Sequence, residues 1–234
     1  MLKKYLESHV RLFFSNLIQV QASPVQQLII SSQISSAEFI LQLYKNGNKT
    51  PLLFSSRREI QKYVVELLSP FNHKSISSTL LEFGVFKGTS LRYFSKNLRK
   101  FNCIGFDSFE GLQSNFGGVN ANLLFRRRGK APKYLPRNAK VINGKIENTL
   151  ADYLLKDSSN IRFIHLDLDV YSSTKFVLNN LKERLNKDTL ILFDEMFGNP
   201  FWENGEYLAM CEVFSDKEFE WIGFGPNQAL IRLK

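Results

Sequence analysis

From residue 79 onward, short apolar runs alternate with amphipathic stretches. The runs are Thr79–Val85, Asn102–Asp107, Ala139–Asn143, Ile161–Asp167 and Thr189–Asp194. Their length and apolar character mark them as strands. Between most of them lie helical segments such as Ser90–Leu98 and Thr174–Leu185, where Val177, Leu178, Leu181 and Leu185 form a stripe. Strands alternating with helices imply right-handed βαβ units and a parallel sheet. The C-terminal region breaks this rhythm. Phe219–Phe224 and Gln228–Leu233 are two strand-like runs joined by the turn Gly225-Pro226-Asn227. The pattern predicts an α/β fold: a Rossmann-like, seven-stranded, mostly parallel sheet closed by an antiparallel C-terminal strand pair.

Residues 1–53 read as mixed helical material with a Ser-rich, poorly periodic middle. Ser56-Arg57-Arg58-Glu59 offers a capping box, with Ser56 as N-cap and Glu59 reaching back. Ile60, Tyr63, Val64, Leu67 and Leu68 follow at helical spacing, and Pro70 stops the helix. Residues 1–78 are therefore expected to form a helical extension packed on a core at 79–234, and to offer a surface for a homo-oligomer. Within the core, the insertion at 112–138 is long, rich in Gly and Arg and weakly periodic, as lids often are.

A chain of 234 residues accommodates one large α/β domain, and 44% hydrophobic residues with 21 phenylalanines furnish its core. The two cysteines, Cys103 and Cys211, have neither metal-ligand nor CxxC spacing, which fits a reducing cytoplasm. Two lysines and a VQAS stretch near the beginning resemble a signal peptide, but Glu7, His9 and Arg11 break the apolar region one needs. No segment offers eighteen uncharged apolar residues, so no membrane span is expected. The net charge of +9 is partly local, since Arg126, Arg127, Arg128, Lys130, Lys133 and Arg137 cluster inside the insertion. Two readings stand for this cluster: a solvated loop, or an electropositive lid over an anionic substrate. No aromatic-interleaved RNA motif accompanies it, which argues against nucleic acid as a partner.

In open α/β sheets ligands bind at the carboxyl ends of the strands. Glu82, Asp107, Asp167 and Asp194 bring acids to or near that edge, a recurrence that core packing does not explain. In Glu82-Phe83-Gly84-Val85-Phe86-Lys87-Gly88-Thr89-Ser90, Gly84 and Gly88 let the backbone turn tightly beside a ligand, and the next helix offers free N–H groups. Asp107, in Gly105-Phe106-Asp107-Ser108-Phe109-Glu110-Gly111-Leu112, is placed to accept hydrogen bonds from both ribose hydroxyls. That suits any adenosine cofactor; NAD remains a competitor, although the full GxGxxG fingerprint is absent. In His165-Leu166-Asp167-Leu168-Asp169-Val170-Tyr171-Ser172-Ser173-Thr174 the strand is expected to end near Asp167, with Asp169 in the turn. Asp194-Glu195 ends the next strand. Asp167, Asp194 and Glu195 then either converge on a hard cation such as Mg²⁺, or the latter pair merely caps the succeeding segment.

Together these motifs resemble the macrocin O-methyltransferase family, whose members methylate sugar hydroxyls on natural-product glycosides. The resemblance covers roughly residues 80–195, and GFDSFEGL and HLDLDVYSST are its specific signatures. It implies S-adenosylmethionine as cofactor, held by Glu82, Gly84, Gly88, Thr89, Ser90, Asp107, Ser108 and Asp167. Gly144 and Ile146, in the stretch Gly144-Lys145-Ile146-Glu147-Asn148-Thr149-Leu150, match the segment beside the adenine. It also implies a metal held by Asp167, Asp194 and Glu195, with Asp167 as general base. Glu195 departs from the commoner Asp-Asp pair, which puts metal dependence in question.

The implied reaction is an in-line transfer of the sulfonium methyl to a hydroxyl of a sugar or a glycosylated or anionic small molecule. His165 is a second candidate base, but its apolar strand favours a core histidine. Two alternatives remain: an NAD- or nucleotide-sugar-dependent enzyme on a similar sheet, and a basic RNA-binding methyltransferase. An Asn/Asp-Pro-Pro-Tyr motif for base methylation is absent.

Overall fold

The computed structural model describes residues 23–47, 50–72, 78–111 and 126–234. Ser23 opens helix α1 (Pro24–Asn46) with a full capping box to Gln26. A two-residue strand β1 (Leu52–Leu53) follows, then α2 (Arg57–Leu68). The Ser56 hydroxyl accepts from the Glu59 N–H as the sequence suggests. The reciprocal bond shifts by one residue: Glu59 Oε2 accepts from the N–H and hydroxyl of Ser55, at 2.8 and 2.9 Å.

The core then runs β2 (Ser78–Phe83), α3 (Thr89–Asn97), β3 (Phe101–Asp107), β4 (Ala139–Asn143), α4 (Ile146–Lys156) and β5 (Asn160–Leu166). It continues through α5 (Tyr171–Leu181), β6 (Leu190–Phe193), α6 (Glu206–Val213), β7 (Phe219–Phe224) and β8 (Ala229–Leu233). The described strands form one eight-stranded sheet in the order β1-β7-β8-β6-β5-β2-β3-β4. β8 is antiparallel to both neighbours, and every other pair is parallel. The seven-stranded expectation holds, with β1 added at the edge beside β7.

Every residue of β2 and β6 is buried, because helices cover both faces of a parallel sheet. Alternation along β2 sends Leu81 and Phe83 to one side and Leu80 to the other. The first side packs against Leu150 of α4, Val177, Leu178 and Leu181 of α5 and Met210 of α6. The second packs against Ile60, Val64 and Leu68 of α2 and Leu91 and Phe94 of α3. Phe39 of α1 meets the rings of Phe197, Trp202, Tyr207 and Trp221 at 5.2–5.9 Å between centroids. The N-terminal segment thus adds a strand and core side chains as well as helices. No described helix is long and apolar enough to cross a membrane.

The strand order reverses between β2 and β5: the chain moves outward from β2 through β3 to β4, then returns to the other side of β2. A crevice at such a switch point is where open α/β sheets bind ligands. Of the insertion at 112–138, residues 112–125 lie outside the described residues. Its remainder is pinned to the core. Arg127 and Gly129 N–H donate to the Phe109 carbonyl at 2.9 and 3.0 Å, and Pro132 packs on Gly88.

Candidate active site

Backbone hydrogen bonds carry the sheet one residue past the strand ends and align them. Gly84 N–H donates to Phe106 O at 2.9 Å, Asp167 N–H to Phe83 O at 2.8 Å, and Asp194 N–H to Leu166 O at 2.9 Å. This ladder puts Asp107, Gly84, Asp167 and Asp194 along one edge. Gly84 adopts φ +88°, and Gly88, at φ +71°, caps α3 in the left-handed region. Pro132 would lie 2.9 Å from a Cβ at position 88.

A cavity of about 440 Å³ opens at this edge. Of the residues singled out in the sequence, Gly84, Asp107, Ser108, Gly144, Ile146, Asp167 and Glu195 line it. Gly88, Thr89 and Ser90 do not; they form the turn and first helical residues behind it. Glu82 is fully buried beneath the turn, where it accepts from Ser90 Oγ at 3.0 Å and faces His165 Nδ1 at 3.0 Å. Asp194 is also fully buried, behind the cavity wall. The sequence did not single out Arg57, Phe86, Phe106, Lys145, Ser172 and Ser173, which also line the space.

Asp107 has a task that its strand-end position did not disclose. Its Oδ2 accepts from Val85 and Phe86 N–H at 2.9 and 2.7 Å, and its Oδ1 from Phe109 N–H at 2.6 Å. The carboxylate therefore organises both the glycine turn and the start of the next loop. With about four lone-pair positions, it retains room for a ligand hydroxyl as well.

At the other end, carboxylates crowd together. Burial, then the neighbouring Asp194 charge, pushes Asp167 up to about 8. The same two causes raise Asp169 to about 6 and, with Asp169 adding, Glu195 to about 7. Glu206, fully enclosed, is raised well above the usual carboxylate range by burial and by Asp169. Two cations oppose this charge. Burial disfavours the His165 imidazolium, but Asp194 and Glu82 outweigh it and push its pKa up to about 10. Arg57, the first residue of α2, places Nη2 2.8 Å from Asp167 Oδ2 and 2.6 Å from Asp194 Oδ2.

Donor atoms of His165, Asp167 and Asp194 lie within 4.8 Å of one another, a spacing compatible with a metal ion. Neither oxygen of Asp194 accepts a well-directed hydrogen bond among the described residues. Buried, hydrogen-bond-poor carboxylate oxygens fit a hard cation. Asp194 meets that description, and Asp167, half-buried at the cavity and paired with Arg57, stands beside it. Glu195, the third expected acid, stands outside the group and accepts from Asn227 Nδ2 at 3.1 Å. His165, read from sequence as a core histidine, is buried and engaged with Glu82, with Nε2 3.5 Å from Asp194 Oδ1.

Residues 81–196 match the protein family described as a methyltransferase domain. No curated protein matches the chain. Among solved structures, the calicheamicin methyltransferase CalS11 aligns at 22% identity, covering 91% of this chain and 94% of that one, with a TM-score of 0.59. Its apo form, described as a TDP-rhamnose 3'-O-methyltransferase, aligns at 23% identity over 91% and 96%, with a TM-score of 0.54. The O-methyltransferase NovP aligns at 17% identity over 76% and 79%, with a TM-score of 0.57. At these identities the structural likeness establishes the fold.

Proposed function

We propose that this chain, whose residues 81–196 match the methyltransferase domain family, is an S-adenosylmethionine-dependent enzyme that methylates a hydroxyl oxygen of a sugar or glycosylated small molecule. One observation carries the reading: a single cavity joins the Gly84 turn and Asp107 to Asp167. The glycine turn, Asp107 and Ser108 would hold the ribose and amino-acid parts of the cofactor. Gly144 and Ile146, at the start of α4, would flank the adenine. When bound, S-adenosylmethionine supplies a methyl group on a positively charged sulfur, a good leaving system.

Asp167 faces the same cavity and is the proposed general base. Asp167 would take the proton of the acceptor hydroxyl as that oxygen accepts the methyl group. Positioning the hydroxyl in line and removing its proton are the protein's main contributions. Asp167 and Asp194 would also hold Mg²⁺, which would lower the pKa of a bound hydroxyl. The acceptor class is supported by the activity of CalS11 on TDP-rhamnose. An anionic nucleotide sugar also suits the basic segment at Arg126–Arg128, within the insertion proposed as a lid.

The test is transfer of a tritiated methyl group to a panel of nucleotide sugars and glycosides, with and without EDTA. The reading expects an O-methylated sugar, loss of turnover in EDTA, and its return with Mg²⁺. Preference for NADH over S-adenosylhomocysteine in a binding assay would instead support the dehydrogenase-like alternative. Steeply salt-dependent RNA binding would support the nucleic-acid alternative.

A further inference from the structure

We propose that Arg57 is an intramolecular competitor of the divalent cation at Asp167 and Asp194, an inference that rests on the metal reading above. A single nitrogen, Nη2, contacts both carboxylates, at 2.8 and 2.6 Å. A hard cation bound by these two oxygens would sit about 2.0–2.1 Å from each. Two positive centres cannot share so small a space without strong repulsion, so occupancy by one excludes the other.

The two partners differ in freedom. Asp194 is wholly enclosed and fixed at the end of β6, whereas the Arg57 side chain is 46% exposed and borders the cavity. The arginine can therefore swing into water, while the carboxylate cannot follow. Its presence also has a physical cause. A buried carboxylate left without a counter-charge is strongly destabilising, and a guanidinium stays charged at every working pH. Arg57 adds its counter-charge to that of the buried His165 whenever the metal is away. Each metal-binding event must then break both Arg57 contacts, which weakens apparent affinity. Glu195 is held by Asn227 and does not restore the loss.

The experiment is direct titration of the full chain with Mn²⁺, an oxygen-preferring probe read by paramagnetic resonance. It compares the unaltered protein with Arg57→Met and Arg57→Lys, and S-adenosylhomocysteine binding reports on folding. Arg57→Met is expected to tighten Mn²⁺ binding by about tenfold or more, with Arg57→Lys between the two. If Arg57→Met does not fold, Arg57→Lys alone must still bind Mn²⁺ more tightly than the unaltered protein. Equal or weaker Mn²⁺ binding in the folded variants overturns the competition while leaving the metal reading intact. Absence of binding to every form, in protein that still binds S-adenosylhomocysteine, overturns both.

Discussion

The main-chain oxygen of Asp167 lies 1.8 Å from the point where a Cβ on Gly84 would stand. The cofactor turn and the proposed base are thus two sides of one backbone contact, and no side chain fits between them. Gly84→Ala would also hold an alanine at φ +88°, where L-residues are strained. The substitution is expected to cost about 3 kcal/mol or more of stability and to abolish S-adenosylhomocysteine binding. Chemical denaturation and calorimetry check both outcomes; near-native values for either would contradict the close packing.

Asp107 holds the glycine turn through the N–H groups of Val85 and Phe86. At about a hundredfold excess over Kd, S-adenosylhomocysteine should stabilise the protein by about 2.7 kcal/mol, or roughly 5–10 °C in Tm for a domain of this size. Asp107→Asn substitutes a donor for one acceptor oxygen and removes the charge from the other. Binding is expected to weaken about tenfold or more, with most of the thermal shift lost. An unchanged shift in the variant would refute the role of this carboxylate.

Stability without ligand should fall as pH rises. Asp167, Glu195 and Asp169 are raised to about 8, 7 and 6, so the folded state holds protons that the unfolded chain releases near pH 4. His165, raised to about 10, acts in the same direction at higher pH. A group with a raised folded pKa contributes stability that is complete below its unfolded pKa and lost as pH passes the folded value. The window therefore runs from about pH 4 through pH 8 for the carboxylates and from about 6.5 to 10 for the histidine. Melting curves between pH 5.5 and 8.5 should show a steady decline in Tm. A rising profile would contradict the crowding of charge at this edge.

Arg126 and Arg128 are exposed, whereas the Arg127 guanidinium is tied to the Lys130 carbonyl at 2.9 Å. None of the three lines the cavity. Their proposed role is longer-range attraction of an anionic acceptor. Replacing Arg126 and Arg128 by alanine should raise KM for a nucleotide sugar at low salt, with the difference shrinking as salt screens it. The cofactor KM should be unaffected. Identical acceptor KM values at low salt would make the cluster a solvated surface.

The central strands were legible in the sequence because burial on both faces leaves little except apolar residues between polar turns, and the less buried outer strands because polar turns bound them. Ala139–Asn143 and Phe219–Phe224 even have the bounds read from the sequence. The strand-end acids were legible for the same reason, since Asp107, Asp167 and Asp194 interrupt apolar runs. β1 was not, because two exposed leucines carry no period. Arg57 was not either: it meets Asp167 across 110 residues, and its own neighbourhood reads as an ordinary helix start. Asp107 was found at the right edge, but its bonds to the turn backbone depend on a loop geometry that residue types do not encode. Glu82 gave the right strand and the wrong depth, because its burial depends on Ser90 and His165 arriving from other elements.

The central claim is that Asp167 takes the acceptor's proton beside a cofactor held by the Gly84 turn. Its most direct test is a single-turnover measurement of methyl transfer by the unaltered protein and Asp167→Asn, alongside S-adenosylhomocysteine affinity. Asparagine keeps the shape of the side chain and its backbone contacts but cannot accept the proton. The expected rate is lower by about 10²–10⁴-fold, with cofactor affinity altered by no more than a small factor. A variant that transfers methyl at the unaltered rate, with cofactor bound equally well, would contradict it.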